Sequence, residues 1–179
     1  KGTETNKAKL DVIYILDKSG SMKEDFGGTS KRIAASNAIT ALTKSLKQNA
    51  NIDARFSMVT FSGNKTTGMW GQGDTKTWDD AEVAVSWTTD AGTIERGSKP
   101  TSNGGTNYQA GIRTAKELLT SKRAGAMTAV IFISDGDPTF YYNPDGYTRG
   151  DGNNDGNGGA DNLKVCLDAA KNEIANLGV

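Results

Sequence analysis

Histidine is absent from the 179 residues. General-base catalysis by imidazole, a Ser-His-Asp triad and any zinc site built on imidazole are excluded with it. Cysteine occurs once, at Cys166, so no disulfide framework holds the fold. That scarcity fits a cytosolic protein and equally a secreted one that keeps thiols off its surface. No charge of either sign is in excess: 21 Lys and Arg balance 21 Asp and Glu, which argues against a nucleic-acid or anionic-membrane surface. No apolar run approaches the length of a membrane span and no signal peptide is present, so no membrane insertion is expected in this segment. The chain opens on a polar stretch at Lys1 rather than on Met, as a processed or excised piece would. Proline is scarce at three residues, whereas 22 glycines point to many tight turns. The length suits a single domain over 1–179 with one sizeable core.

What the chain does have is one stretch that organises the rest. Val12-Ile13-Tyr14-Ile15-Leu16 is a continuous apolar run, read as a strand buried on both faces. It stops at Asp17-Lys18-Ser19-Gly20-Ser21, a carboxylate and two hydroxyls spaced two apart. Ala129-Val130-Ile131-Phe132-Ile133 repeats the design and leads into Ser134-Asp135-Gly136-Asp137. Around these the pattern predicts a frayed segment over 1–9 and a first strand over Leu10–Leu16. A helix follows from about Ser30 to Gln48, with Ala35, Ile39, Leu42 and Leu46 inward, and then a strand over Ala54–Phe61. Between 62 and 105 we expect an edge strand near Thr66–Trp70 and short helical turns around Asp79–Ser86. A helix is predicted from about Asn107 to Ser121, a strand over Thr128–Ser134, and a Gly/Asn/Asp-rich loop over 143–162. Leu163, Cys166, Ala170, Ile174 and Leu177 mark the inward stripe of a last helix. Strands alternating with helices give an α/β fold, a doubly wound, mostly parallel, Rossmann-like sheet with helices on both faces.

If the two most apolar strands are parallel neighbours, Asp17 and Asp135 stand at one edge, about 5–10 Å apart. Each would raise the other's pKa unless a cation or proton lay between them. Gly104-Gly105-Thr106-Asn107 opens the helix before the second of these strands. Thr106 with Gln109 reads as a capping box, and the Thr106 hydroxyl can still face the same edge. Asp17, Ser19, Ser21, Thr106 and Asp135 form a set of oxygen donors that suits a hard cation, Mg²⁺ first, with Mn²⁺ and Ca²⁺ as substitutes.

These three loops resemble the metal-ion-dependent adhesion site of von Willebrand factor A domains. The phrasing Ile-Leu-Asp-Lys-Ser-Gly-Ser-Met is similar to the version in bacterial cell-surface and pilus-tip adhesins. The resemblance implies direct metal contact from Ser19, Ser21 and Thr106, and contact mostly through water from Asp17 and Asp135. It implies a protein ligand from a host or extracellular matrix that offers a Glu or Asp carboxylate. It also implies an extracellular place on a bacterial cell wall or pilus. Family members continue past the helix at Leu163–Leu177 into another strand and helix. Stopping at Val179 leaves the Thr128–Ser134 strand as a sheet edge, so either the piece is cut short or another chain or copy supplies the missing strand. Two other readings stay open: a structural or assembly subunit with a metal but no external ligand, and a Mg²⁺-dependent phosphoryl hydrolase.

Secondary signals cluster in the last loop. Asp151, Asn153 and Asp155 fit the first half of an EF-hand-type Ca²⁺ loop, with Asp161 one place before the position of the usual bidentate Glu, which Asn162 occupies. Arg149-Gly150-Asp151 is an RGD tripeptide in the same stretch. Cys166 is expected to be a buried, inert thiol, and the tryptophans Trp70, Trp78 and Trp87 to pack over the sheet.

Overall fold

Two parallel pairings around one central strand set the architecture. In the computed structural model, which describes residues 6–63, 80–144, 146, 148–150, 152 and 159–179, the chain begins with β1 (Ala8–Asp17), a 3-10 turn (Gly20–Lys23) and a small hairpin of β2 (Asp25–Phe26) and β3 (Thr29–Ser30). It continues through α1 (Lys31–Gln48), β4 (Ile52–Phe61), β5 (Ala81–Thr88), α2 (Ala91–Gly97) and α3 (Tyr108–Leu119). β6 (Met127–Ile133), a second hairpin of β7 (Tyr141–Tyr142) and β8 (Thr148–Arg149), and α4 (Gly159–Ala175) complete it. The main sheet has the order β5-β4-β1-β6 among the described residues. β1 pairs in parallel with both β4 and β6, and β5 runs antiparallel along β4.

Strand alternation divides the apolar residues between two faces. Val12, Tyr14, Leu16, Phe56 and Met58 point to one side, where Ile39 of α1 and Ile94 of α2 cover them. Ile13, Ile15, Val59 and Phe61 point to the other, under Ile112, Ala115 and Leu119 of α3 and Ala170 of α4. The result is the doubly wound α/β arrangement, with helices on both faces of a mostly parallel sheet.

Several local expectations are corrected. The helical turns expected around Asp79–Ser86 are not found among the described residues, where Ala81–Thr88 is the antiparallel edge strand β5; Asp79 lies outside them. The stripe of α1 holds at Ala35, Ile39 and Leu46, which pack on the sheet, but Thr43 rather than Leu42 turns inward, where it shares a 2.8 Å hydrogen bond with the Tyr14 hydroxyl. Ser36, Ile39 and Thr43 are the fully buried positions of α1, and Leu42 faces solvent. On α4, Cys166 and Ala170 are buried but Ile174 is exposed. The 143–162 stretch is not loop throughout, since Thr148–Arg149 pairs with Tyr141–Tyr142 and α4 begins at Gly159. The expected edge strand near Thr66–Trp70, with Trp70 and Trp78, lies outside the described residues. Trp87 packs at the amino end of the parallel strands, with the Arg55 guanidinium 4.2 Å from its ring centre.

Candidate functional site

The register of the sheet brings two distant loops to one rim. Leu16 on β1 lies opposite Ile133 on β6, so both strands leave the sheet together, into Asp17 and Ser134. The chain winds from β1 outward through β4 to β5 and then returns to β6 on the other side of β1. Strand order therefore reverses between β1 and β6, and the crevice outside their carboxyl ends is where open α/β sheets bind ligands.

Asp17 is the innermost group of that crevice, 1% exposed. Its Oδ1 accepts a hydrogen bond from the Ser19 amide at 2.7 Å, which folds the loop back on itself. Its Oδ2 accepts from Ser134 Oγ at 2.6 Å, which ties the first loop to the third. Ser19 Oγ and Ser21 Oγ share a 3.2 Å hydrogen bond, and Ser21 Oγ donates to Asp135 Oδ1 at 2.9 Å. Lys31 Nζ lies 3.0 Å from Asp135 Oδ2.

The second loop is threaded between the other two. Gly20 N donates to Gly104 O at 2.9 Å, and Gly105 N donates to Gly63 O at 2.9 Å. Only glycine suits these places. Gly104 has φ +79°, and a Cβ there would stand 2.5 Å from Gly63 O; one on Gly105 would stand 2.3 Å from the Phe140 ring. The close approach buries Thr106, whose amide donates to Thr139 Oγ1 at 3.0 Å. The Thr106 carbonyl accepts from the amides of Thr139 and Phe140. The capping-box expectation fails here, because these long-range partners hold the Thr106 backbone. Asn107 is the N-cap, accepting from Ala110 N at 3.1 Å, while Gln109 turns away to Tyr142 N and Glu173. Buried Asp80 fixes the cap residue in turn, accepting from Asn107 Nδ2 at 2.9 Å.

A cleft of about 570 Å³ opens over this cluster, lined by Ser19, Ser21, Lys31, Thr106, Asp135 and Asp137 among others. Burial pushes the Asp17 carboxyl above the usual aspartate range, and the nearby Asp135 charge adds in the same direction, against the hydrogen bonds from Ser134 and Ser19. Burial likewise raises the Tyr108 phenol, which donates to Ser134 Oγ and to the Gly136 carbonyl. The rim thus holds a buried carboxylate, Asp17, opposed by the charge of a second one, Asp135, with hydroxyls between them.

That donor set fits a hard divalent cation. It contains no nitrogen or sulfur ligand, and a cation beside Asp17 and Asp135 would relieve the mutual repulsion that burial amplifies. Among the described residues no three His, Cys, Asp or Glu side chains gather as a metal cluster; the donors here are two carboxylates and neutral hydroxyls.

Three contributors to the rim lie outside the candidate donor set: Ser134, at the end of the predicted strand over Thr128–Ser134, and Lys31 and Tyr108, within predicted helices. Ser134 stands directly before Asp135, which is a local signal; nothing local marks Lys31 or the Tyr108 hydroxyl. Of the EF-hand-type match, Asp151, Asn153 and Asp155 lie outside the described residues. Asp161 stands exposed in the first turn of α4, and Asn162 Nδ2 donates to Thr139 O at 3.2 Å. Arg149 of the RGD tripeptide belongs to the hairpin strand β8 and is half-buried rather than displayed on an exposed loop.

The model of the von Willebrand factor type A domain matches residues 11–149. No curated protein matches the chain. Among solved structures, the vWF domain of the type V pili tip protein Mfa5 from Porphyromonas gingivalis superposes with a TM-score of 0.58 at 17% identity, over 76% of this chain and 40% of that one. The pilus adhesin SpaC from Lactobacillus rhamnosus GG gives 0.60 at 21% identity, over 81% of this chain and 18% of that one. The PilB minor pilin from Streptococcus sanguinis gives 0.59 at 20% identity, over 79% and 33%. The chain therefore spans 40% or less of each of these proteins, and the likeness is one of fold. No helix among the described residues is long and apolar enough to cross a membrane.

Proposed function

The chain belongs to the von Willebrand factor type A family, and from that premise we propose that it is an adhesion module that binds a divalent cation at the rim between β1 and β6. Ser19, Ser21 and Thr106 would hold the ion directly, with Asp17 and Asp135 acting mostly through water. Mg²⁺ is the first choice, with Mn²⁺ or Ca²⁺ able to replace it. The bound ion would supply an electrophilic centre for a Glu or Asp carboxylate of a protein ligand. The polar cleft around it would form the rim of the contact.

The observation that carries this reading is the convergence of three separate loops, at 17–21, 104–106 and 134–137, on one rim around a buried carboxylate whose hydrogen-bonding partners there are neutral. The pilus-adhesin likeness supports a place on a bacterial surface, on a pilus tip or cell wall, and a ligand on a host or matrix protein. The absence of histidine and the surroundings of the hydroxyls support binding over catalysis. Ser19 has Ser21 and Asp17 as neighbours, and Lys18, the one nearby basic residue in its loop, is held by Glu82 at 2.6 Å. The carboxylates that accept from Ser21 and Ser134 would hold a cation rather than act as bases, so a generic phosphate ester with Mg²⁺ should show no turnover.

A structural or assembly role is the second reading, favoured by the open edge of the sheet. Met127 on β6 is 65% exposed and Phe132 is 37% exposed. An apolar groove of about 500 Å³ runs beside Phe132, between β6 and α4. A further strand, from a continuation of this polypeptide or from another chain, would close it. For the 151–161 loop, a Ca²⁺ that orders the segment is proposed from its sequence alone.

The test is capture of the domain on a matrix-protein-coated surface with Mg²⁺, with EDTA, and with an excess of a glutamate-bearing peptide. Metal-dependent capture blocked by the peptide is the expected result. Capture indifferent to EDTA overturns the adhesion reading, and metal binding without capture favours the assembly reading.

A further inference from the structure

Lys31 is the one basic residue lining the cleft among the described residues, and it stands where a helix least favours a cation. It is the first residue of α1, whose amino end carries the positive pole of the helix dipole, and no acidic residue shares that first turn. Its ammonium is held there by two carboxylates from outside the helix, Asp135 Oδ2 at 3.0 Å and Glu24 Oε2 at 2.6 Å. The backbone reinforces the placement, since Lys31 N donates to Glu24 O at 2.9 Å. The two partners differ in kind. Asp135 is nearly buried and belongs to the cleft, whereas Glu24 is mostly exposed and lies outside it.

From this geometry we infer that Lys31 is a tethered cation that competes with the divalent ion for Asp135, and that Glu24 is the anion that keeps the ammonium when the ion takes that carboxylate. The inference rests on the metal site proposed above. Both cations draw on one carboxylate, so whatever the ammonium gains from Asp135 is subtracted from the ion's affinity. A lysine with a second carboxylate already in contact can give up the first without being left uncompensated, so exchange is graded rather than blocked. The pair Lys31–Glu24 would therefore set how tightly the site holds its ion.

Titration calorimetry with Mg²⁺ and Mn²⁺ on the intact chain tests this, comparing wild type with Lys31→Met, Glu24→Gln and the double variant. Circular dichroism checks that each is folded. Lys31→Met should bind the ion about two- to fivefold tighter, the span of a partly exposed ion pair. Glu24→Gln should bind more weakly, because the ammonium then rests on Asp135 alone. In the double variant the Glu24→Gln effect should vanish. Additive effects would mean simple charge at a distance and would overturn the inference, as would unchanged or weaker binding by Lys31→Met. If neither wild type nor any variant takes up metal, the metal site itself is wrong; if all bind alike, only the role of Lys31 falls.

Discussion

One strand carries two buried aspartates with opposite fates. Asp11 and Asp17 sit six residues apart on β1, 0% and 1% exposed. At the amino end of β1, Asp11 is clamped by two guanidinium groups. Arg55 meets both carboxylate oxygens at 2.9 and 2.8 Å, and Arg123 adds its side chain and its amide, each at 2.8 Å. Burial by itself would raise the Asp11 carboxyl, but these charged hydrogen bonds together outweigh it and hold it below the ordinary aspartate value of 3.8. Asp17, at the carboxyl end, has two neutral donors and a second carboxylate nearby, so burial prevails and its carboxyl is raised. Burial alone does not decide what a carboxylate does; the charge of its hydrogen-bonding partners does. The first aspartate is compensated by two cationic partners, and the second meets only neutral donors.

The comparison breaks most visibly at Asp11. Asp11→Ala leaves Arg55 and Arg123 without their buried anion and should cost about 3–5 kcal/mol in urea unfolding, with Mg²⁺ affinity unchanged in protein that remains folded. A loss of metal binding equal to the loss of stability would show that the two ends are not independent. Next in size is the response of the other end. Mg²⁺ at about 100 times its dissociation constant should stabilise wild type by about 2.7 kcal/mol. Asp17→Asn should keep the metal-free fold intact and abolish that gain in thermal melts. A melting shift with Mg²⁺ that persists in Asp17→Asn would remove Asp17 from the site.

The smallest effect is a pH slope that separates the clamp from its own variant. Asp11 has a lowered carboxyl in the folded state, so its contribution is present above 3.8, the unfolded value, and is lost as pH falls through the folded one. The stability difference between wild type and Asp11→Asn, measured by urea unfolding, should therefore be steady at neutral pH and shrink below about pH 4. A difference that grows on acidification would contradict the sign.

Much of the fold was legible because its signals are local and repeated. The apolar runs of β1 and β6 end at carboxylates, and the parallel pairing of those strands follows from their apolar character. Cys166 falls on the inward face of its helix, as its spacing predicts. Misreadings fall where a distant contact overrides a local preference. Thr106 loses the cap because residues 139 and 140 take its carbonyl. Thr43 displaces Leu42 from the inner face of α1 because a tyrosine on another element needs a polar partner, and β5 reads poorly because an edge strand shows little alternation of its own.

Residue order by itself determined the α/β class, the strand ends and the oxygen-only character of the donors, since these depend on side-chain chemistry and short-range periodicity. Only the tertiary structure decided which carboxylate is satisfied and which is not. That outcome depends on where Arg55, Arg123, Ser134 and Lys31 arrive after the chain has folded back across 44 to 117 residues. No local pattern encodes such a meeting, because the electrostatic balance at a buried group is a sum over neighbours in space.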